Sequence, residues 1–543
     1  MEVNISSMRI KVLSKNGEAY IEFRQDKECT RKQNLSDILQ ENHIGIQNFC
    51  YGNGTCGKCK VKVISGYLPI TEADKARLTK EELEKGVRLA CKAKISEESE
   101  ELWIEIAGGT EEDIVAEGID EQKNENTETP ENYAISIDIG TTTIAMALIN
   151  EKTGDVCDIY TSVNHQRKYG ADIISRITAA NDGKAEELKK LIEEDLYRGI
   201  GKLTGAEFET GTEVKGKGID DCKKDRKISL SKIIIAGNTT MIHLLMGYSC
   251  VSLGKYPFRS EQTEYFIYDE MEFGGEKVPV TILPGISAFV GGDIVAGILA
   301  CRKFEKEELC LLIDLGTNGE MVLGNKHKLL ATSTAAGPAF EGGNIACGMA
   351  AVAGSICQVK IQNQRAIVRT VKNELQPNGI CGSGLISVIA QLKENQLIKS
   401  DGELKPPYNK NGFPLWTFEN GEKIALYQKD IREFQMAKAA IRAGIDILVE
   451  EYGCALEEIK HIFIAGGFGK AFSIEDMMIT GIVPGEFENK TDIIGNSALR
   501  GAVCFANDIE AMKQVENICR RTEIINLAEN AGFQKKYIEY MKL

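Results

Sequence analysis

Four cysteines in the first hundred residues constrain the fold of this chain more than any other feature. Cys50, Cys56 and Cys59 are spaced Cys-x5-Cys-x2-Cys, and Cys91 follows after 31 further residues. Three thiolates from one tight loop and a fourth from a distant segment are the ligand set typical of a 2Fe–2S cluster. Four thiolates also suit zinc, but a zinc ribbon brings two close cysteine pairs and Cys91 has no near partner. The spacing therefore predicts an iron–sulfur site with these four ligands.

The segments around the cysteines predict a small α+β domain. Residues 8–13 and 19–23 predict a β-hairpin, and residues 34–40 predict a short helix. Residues 60–64 predict a strand, and residues 102–106 predict a closing strand. This order, together with the cysteine loop, resembles the plant-type and adrenodoxin-type ferredoxins, and the x5 gap is nearer to the adrenodoxin variety. The resemblance implies an α+β ferredoxin-like (β-grasp) N-terminal domain over residues 1–110.

Residues 111–132 differ in composition from the rest of the chain. They hold nine acidic residues and one lysine, a net charge of −8, which is more than half of the formal −15 of the whole sequence. An acidic, amide-rich stretch with few apolar residues is typical of a mobile linker. The alternative is a loop packed on one of the domains. The acidic balance also argues against a nucleic-acid partner, which would require a basic face.

Length and cysteine usage narrow the class of protein further. A chain of 543 residues is expected to form two or more domains. We find no run of eighteen apolar residues and no signal peptide, so we expect a cytoplasmic protein without a membrane partner. Of the 16 cysteines, the 12 outside the predicted ligand set form no further Cys-x2-Cys pair. They are expected to be reduced thiols, which fits low-potential chemistry in a reducing, anaerobic cell.

From residue 133 the sequence alternates between β-rich and helical stretches, and one motif occurs twice. Residues 134–148 and 311–323 each contain an apolar strand that ends in Asp-x-Gly-Thr and returns as a second strand, with Asp138 and Asp314 176 residues apart. The glycine permits a tight bend, so that backbone N–H groups and threonine hydroxyls can surround a phosphate. The aspartate can hold Mg²⁺ directly or through water. Two such hairpins facing each other predict a clamp for a triphosphate.

A third motif extends this pattern. Residues 461–469 read as a buried strand that ends in Gly466-Gly467-Phe468-Gly469, where bare backbone can lie against a purine and its ribose. The three motifs in this order resemble the actin, hexokinase and DnaK-type ATPase superfamily. The resemblance implies a two-lobed α/β actin-like (ribonuclease H-like) ATPase domain over residues 133–543. The sequence contains no Gly-x4-Gly-Lys-Ser/Thr loop, which argues against the P-loop class of ATPases.

These motifs supply the predicted nucleotide site. The nucleotide-binding residues are Gly140, Thr141, Thr142, Thr143, Asn238, Gly316, Thr317, Asn318, Gly319, Glu320, Gly466, Gly467, Phe468 and Gly469. The predicted catalytic carboxylates are Asp138, Asp293, Asp314 and Glu341. Asn238, Asp293 and Glu341 come from further glycine-bearing stretches, and the alternative is that those glycines serve only turns or close packing.

The fusion of the two halves resembles the reductive activators of corrinoid proteins. The resemblance covers nearly the whole chain and includes residues 237–241, 314–320 and 336–342. It implies ATP-dependent transfer of one electron from the 2Fe–2S cluster to the Co(II) corrinoid protein of a methyltransferase system, which restores Co(I). The implied cofactors are the cluster, ATP and Mg²⁺, and the implied partners are the corrinoid protein and a low-potential electron donor. Some relatives carry an extra small domain where this chain has residues 111–132, so a homodimer built on such a domain is left open.

Three other functions remain open at this point. A redox-regulated small-molecule kinase would need a catalytic carboxylate, which Asp293 or Glu341 can supply. An activator of another low-potential metalloenzyme, such as a radical dehydratase, would share a 4Fe–4S cluster between subunits and lack the ferredoxin domain. A nucleotide-gated binding module would bind a corrinoid protein without reducing its cobalt.

Overall fold

The structure is a computed structural model. It describes residues 7–14, 17–24, 34–41, 44, 46, 54, 57, 59–95, 101–106, 132–170, 172–205, 228–260, 266–273, 276–374, 376–419, 421–466 and 473–543. The chain divides into two compact units, Met1–Asp113 with Arg167–Ala171, and Ile114–Gln166 with Asp172–Leu543. In the described ranges, no helix has both the length and the apolar character needed to cross a membrane.

The first unit is built on a mixed sheet. Its described elements are β1 Ser7–Ser14, β2 Gly17–Arg24, α1 Leu35–Glu41, β3 Lys60–Ser65, α2 Glu72–Arg77, α3 Lys80–Glu84, β4 Val87–Leu89 and β5 Glu101–Ile106. The strand order is β2-β1-β5-β3-β4. Strand β1 pairs antiparallel with β2 and parallel with β5. The predicted hairpin, helix, middle strand and closing strand are therefore all present.

Side-chain alternation along β5 fixes which face of this sheet is buried. Leu102, Ile104 and Ile106 point into the core, whereas Glu101 and Glu105 are exposed. A period of two is expected of a strand with one buried face. The same core receives the apolar side chains of α1 and the thiol-bearing residues Cys59 and Cys91. The cysteine segments are thus anchored in the hydrophobic core of the unit.

The second unit begins with a lobe built on one twisted sheet. The described elements of this first lobe are β6 Asn132–Ile139, β7 Thr143–Asn150, β8 Val156–Val163, α4 Ile173–Ala179, α5 Ala185–Thr204, β9 Ser229–Gly237, α6 Thr239–Met246, β10 Phe266–Phe273, β11 Glu276–Ile282 and α7 Gly292–Ala300. The strand order is β10-β11-β9-β6-β7-β8. Strand β6 pairs antiparallel with β7 and parallel with β9.

The second lobe repeats this arrangement. Its described elements are β12 Leu309–Leu315, β13 Gly319–Gly324, β14 Leu329–Thr334, β15 Ser355–Gln362, β16 Arg365–Thr370, β17 Gly379–Ile380, α8 Gly382–Glu394, α9 Tyr408–Asn411, β18 Phe413–Thr417, β19 Lys423–Leu426, α10 Gln428–Tyr452, β20 Ile459–Ala465, α11 Ile474–Thr480, β21 Thr491–Gly495, α12 Ser497–Asn507, α13 Ala511–Arg521, β22 Thr522–Ile524 and α14 Ala531–Tyr540. Its main sheet has the order β21-β20-β12-β13-β14-β22.

The two main sheets share the topology that positions the site. In each, a three-stranded meander begins with a strand that also pairs in parallel with a later one, β6 with β9 and β12 with β20. The first hairpin of each meander carries an Asp-x-Gly-Thr motif, so that Asp138 lies opposite Ala145 and Asp314 lies opposite Glu320. The duplicated motif therefore occupies the same place in both sheets.

Two helices, α7 and α12, pack against each other at very short range. A Cβ atom on Gly501 of α12 would lie 1.9 Å from the carbonyl oxygen of Ala296 on α7. Only a residue without a side chain permits that approach. The first turn of α7 carries Asp293, and α12 begins directly after Asn496. The close crossing therefore fixes two helix N-termini that reach the candidate site.

Candidate functional site

The structure brings part of the predicted cluster site together in the first unit. Cys59 and Cys91 are both buried, and the amide N of Ala90 donates to the carbonyl oxygen of Cys59 at 2.8 Å. This bond joins the two ligand-bearing segments. Cys50 and Cys56 lie outside the described residues.

The glycines of the cysteine loop shape a cradle that a side chain would fill. Gly54 and Gly57 have φ values of +73° and +68°, a left-handed conformation that favours glycine. A Cβ atom on Gly54 would lie 2.9 Å from the Cβ of Ala73 in α2. The buried thiols and this tight backbone fit a group held by cysteine thiolates, as the spacing predicted.

The second unit contains a cavity of about 190 Å³ into which both Asp-x-Gly-Thr hairpins project. The predicted residues that line it are Asp138, Gly140, Thr141, Thr142, Thr143, Asn238, Asp293, Asp314, Gly316, Thr317, Asn318, Glu320, Glu341 and Gly466. Gly319 does not line the cavity. It packs against Ile441 of α10, because a Cβ atom on Gly319 would lie 2.0 Å from that side chain. Gly467, Phe468 and Gly469 lie outside the described residues.

Each hairpin is closed by a backbone hydrogen bond. The amide of Gly140 donates to the carbonyl oxygen of Thr143 at 3.0 Å, and that of Gly316 donates to Asn318 at 2.8 Å. A Cβ atom on Gly140 would lie 2.7 Å from the Thr143 oxygen, so the first turn requires glycine. The side chain of Asn238 caps α6 and donates to the hydroxyl of Thr141 at 3.0 Å. The N-terminus of α6 is thereby joined to the first hairpin.

Buried side chains hold the carbonyl groups of the first hairpin. The amide of Asn164 donates to the carbonyl oxygen of Gly140 at 2.9 Å, and the guanidinium of Arg176 donates to that of Thr141 at 2.5 Å. Both side chains are fully buried. In the second hairpin the carbonyl oxygen of Thr317 accepts instead from the backbone amide of Gly337 at 2.9 Å. These bonds hold the backbone of each turn in place, with the threonines of the turn at the cavity.

Glu341 links the two hairpins across the cavity. One oxygen of its carboxylate, Oε2, accepts from the hydroxyl of Thr142 at 3.2 Å and from that of Thr317 at 2.9 Å. Hydrogen bonds to a charged acceptor contribute about 1.5–3 kcal/mol each. Glu341 therefore connects the two Asp-x-Gly-Thr hairpins directly.

The N-terminus of α12 contacts the aspartates of both hairpins. The amide nitrogen of Asn496 donates to Oδ2 of Asp138 at 2.8 Å, and the hydroxyl of Ser497 donates to Oδ2 of Asp314 at 3.1 Å. The amide oxygen of Asn496 accepts from the backbone of Leu499 at 2.7 Å, which assigns the nitrogen to Asp138. Sequence reasoning did not select Asn496 and Ser497. An Asn-Ser pair between a strand and a helix is an N-cap signal that identifies the helix start but not its partner.

Five carboxyl groups line the cavity, and burial raises the pKa of each of them. They are Asp138, Asp293, Asp314, Glu320 and Glu341. Burial raises the pKa of Asp138 to about 7, opposed by the Asn496 hydrogen bond and reinforced by the charges of Asp293 and Asp314. Burial likewise raises the pKa of Asp293 to about 7 and that of Asp314 to about 6. Such a cluster of buried acids favours a cation in the cavity, because a nearby positive charge stabilises the ionised forms.

Known proteins resemble both units. Residues 22–96 match the 2Fe-2S iron-sulfur cluster binding domain, residues 133–306 the RACo middle region, and residues 308–543 the C-terminal domain of RACo, described as the ASKHA domain. The corrinoid activation enzyme RamQ of Eubacterium limosum is 33% identical over 433 residues, covering 75% of this chain and 69% of the relative. The [Co(II) methylated amine-specific corrinoid protein] reductase of Methanosarcina barkeri is 30% identical over 266 residues, or 44% and 47% of the two chains.

A solved structure shows the same likeness over the full length. A reductive activator for a corrinoid, iron-sulfur protein superposes with a TM-score of 0.67 at 27% identity and covers 98% of both chains. The matches confirm the predicted fold class, a ferredoxin-like domain followed by an actin-like ATPase domain. They also support a 2Fe–2S cluster and ATP as bound groups.

Proposed function

Because the chain belongs to the family of reductive activators of corrinoid proteins, we propose that it reduces a Co(II) corrinoid protein of a methyltransferase system to Co(I) at the expense of ATP. The observation that carries this proposal is the presence, in one polypeptide, of a cysteine-lined cluster site and a cavity lined by two phosphate hairpins. Electron supply and nucleotide binding are both needed for an ATP-dependent reduction. The kinase alternative has no comparable support in the relatives.

The proposed cluster ligands are the four cysteines predicted from the spacing. Cys59 and Cys91 are buried, and a backbone hydrogen bond from Ala90 to Cys59 joins their segments. Cys50 and Cys56 complete the set by their place in the sequence. A bound plant-type 2Fe–2S group supplies one electron at roughly −400 mV. The left-handed turns at Gly54 and Gly57 let the loop backbone lie close to its neighbours, where a Cβ atom on Gly54 would meet Ala73 at 2.9 Å.

The proposed nucleotide site uses the two hairpins for phosphates and Gly466–Gly469 for the adenosine. The threonine hydroxyls of both hairpins and the N-terminus of α6 at Asn238 face the cavity. We assign Asp138 and Asp314 to Mg²⁺. In the described residues no three acidic, thiol or imidazole groups converge as a direct ligand set. Mg²⁺ would therefore keep several waters and bind mainly phosphate oxygens, as it does in many nucleotide sites.

Asp293 is the carboxylate we propose for orienting the attacking water. Its Oδ1 accepts from the amide of the next residue, Ile294, at 2.8 Å, and no side chain in the described residues donates to it. Glu341, by contrast, is engaged by two threonine hydroxyls and serves as a link between hairpins. A pKa near 7 suits Asp293 to accept a proton at neutral pH.

The remaining parts of the function are proposals of the same kind. We propose a low-potential protein as the electron donor, a cytoplasmic location, and domain limits of residues 1–110, 111–132 and 133–543. Pairing of two chains into a homodimer is compatible with the function but is not required by it.

The reaction needs ATP because the electron must move uphill. Each 59 mV by which the cobalt couple lies below the cluster reduces the equilibrium yield of Co(I) tenfold. Nucleotide binding can offset this gap only by favouring one state of the complex over another. The ratio of the chain's affinities for the Co(II) and Co(I) forms of the corrinoid protein must therefore change when ATP binds.

The decisive test mixes the iron-loaded protein, a Co(II) corrinoid protein, a chemical reductant and Mg·ATP, and follows the Co(I) absorption band. We expect Co(I) to accumulate with ATP and much less without it. Two variants separate the halves: Cys91→Ser should abolish reduction while leaving ATP hydrolysis, and Asp293→Asn should slow hydrolysis while leaving the iron content. Equal rates and extents with and without ATP would contradict the coupling.

A further inference from the structure

A buried acidic side chain lies between the two parts of the cluster site. Asp74, the third residue of α2, has no exposed surface. Its Oδ2 accepts from the amide and the hydroxyl of Thr71, at 2.6 and 2.7 Å, and its Oδ1 accepts from the amide of Leu89 at 2.8 Å. All three partners are donors, which is the hydrogen-bonding pattern of an ionised carboxylate.

The contacts of Asp74 place this charge close to the ligand cysteines. Leu89 precedes Cys91 by two residues, a span of at most about 7 Å along the chain. Ala73, the neighbour of Asp74 on α2, lies against Gly54 of the cysteine loop. Asp74 thus joins the segment that carries Cys91 to the helix that packs on the other ligand loop.

No cation neutralises this carboxylate by contact. In the described ranges, no Lys or Arg nitrogen lies within ion-pair distance of Asp74. The nearby Arg88 donates instead to the carbonyl oxygens of Leu68, Leu83 and Val87. A buried charge is screened by water much less than an exposed one. The three hydrogen bonds satisfy both oxygens of Asp74 but leave its negative charge in place beside the segment that carries Cys91.

We propose that Asp74 is a positioning and tuning residue that keeps the reduction potential of the bound cluster low. Reduction adds one negative charge to a group already held by thiolates, and a fixed negative charge nearby disfavours that step. A lower potential makes the cluster a stronger reductant, which is what an uphill transfer to cobalt needs. The inference rests on the cluster assigned above and extends the proposed function to one residue that sets its driving force.

The test compares the midpoint potential of the iron-loaded full chain with that of three variants. Asp74→Asn removes the charge at nearly constant size. Thr71→Val removes two hydrogen bonds of the hydroxyl, one of which is the helix cap, but keeps the charge of Asp74. Glu72→Gln removes an exposed charge on the same helix. We expect Asp74→Asn to raise the ratio of reduced to oxidised cluster about tenfold at a fixed ambient potential, a shift of about 59 mV. The other two variants should shift that ratio much less.

Three results would overturn the proposal. They are an unchanged potential in Asp74→Asn with full iron content, an equal rise in Thr71→Val, and an equal rise in Glu72→Gln. If Asp74→Asn does not retain iron, Asp74→Ser carries the same expectation, and loss of iron in both would assign Asp74 to holding the fold alone. The titration needs neither ATP nor a corrinoid protein, so its failure is distinct from a failure of the proposed function.

Discussion

Replacing Asn496 with serine isolates one contact of the nucleotide site. Asn496 caps α12 through its amide oxygen and donates to Asp138 through its amide nitrogen. Serine is about as good an N-cap as asparagine, so the helix start should keep its stability. The shorter side chain of serine ends before the amide nitrogen that contacts Asp138. The substitution therefore removes the contact with Asp138 and leaves the cap.

The size of the effect follows from the charge on Asp138. A hydrogen bond to a charged acceptor contributes about 1.5–3 kcal/mol. The bond from Asn496 lowers the pKa of Asp138, which burial raises to about 7. Because one pKa unit corresponds to about 1.4 kcal/mol, losing the bond should raise this pKa by roughly one to two units. At pH 7 most of the variant would then carry a protonated Asp138, which binds Mg²⁺ poorly.

The assay is the pH dependence of kcat/KM for Mg·ATP hydrolysis between pH 6 and pH 9. We expect Asn496→Ser to lose roughly 5- to 50-fold at pH 7, because the ionised fraction of Asp138 falls from about a half to about a tenth or a hundredth, and to recover as the pH rises. The control is Asn507→Ser at the other end of α12, where the side chain donates to the backbone carbonyl oxygen of Gly154. A uniform loss at all pH values, or the same loss in the control, would refute the role given to Asn496.

Three further predictions concern the same cavity. Gly140→Ala should prevent the first hairpin from closing, because the added Cβ would lie 2.7 Å from the carbonyl oxygen of Thr143. Calorimetry should then find ATP binding lost, with the iron content intact. A wild-type affinity for ATP would contradict this prediction. Glu341→Gln should weaken Mg·ADP binding by about tenfold, because it removes the charge from two hydrogen bonds, and an unchanged Kd would count against the link. The raised pKa values of Asp138 and Asp293 contribute stability to the nucleotide-free protein below pH 4, and this contribution is lost as the pH rises through about 7. The increase in melting temperature on adding Mg·ADP should therefore grow from pH 6 to pH 8. A constant or shrinking increase would contradict this.

The sequence predicted those parts of the fold and site whose signal is local. The cysteine spacing and the repeated Asp-x-Gly-Thr turn are short patterns whose residue types already limit their chemistry. Strand alternation and helical periodicity then placed the elements around them. These signals predicted the two facing hairpins, and they carry the family resemblances that implied the class of both domains.

Contacts between distant residues were not predictable in this way. Asn496 and Asp138 are separated by 358 residues, and nothing in either segment indicates the other. Arg176 reads in sequence as one basic residue on a short helix, and only the fold places its guanidinium at the carbonyl of Thr141. Gly319 shows the opposite case. It belongs to the hairpin motif, but the packing of Ile441 beside it keeps it away from the cavity.

The crowding of acids in the cavity suggests how nucleotide state can be converted into mechanical work. The charge of Asp314 in the second lobe raises the pKa of Asp138 in the first lobe. A cation bound between the hairpins would offset that repulsion, because a nearby positive charge stabilises both ionised carboxylates. Asn496 and Ser497 contact these two aspartates, so α12 must follow any change in their separation. Because a ligand shifts an equilibrium only by its difference in affinity for the two states, a nucleotide can move α12 only if it binds one separation of the two aspartates more tightly than another.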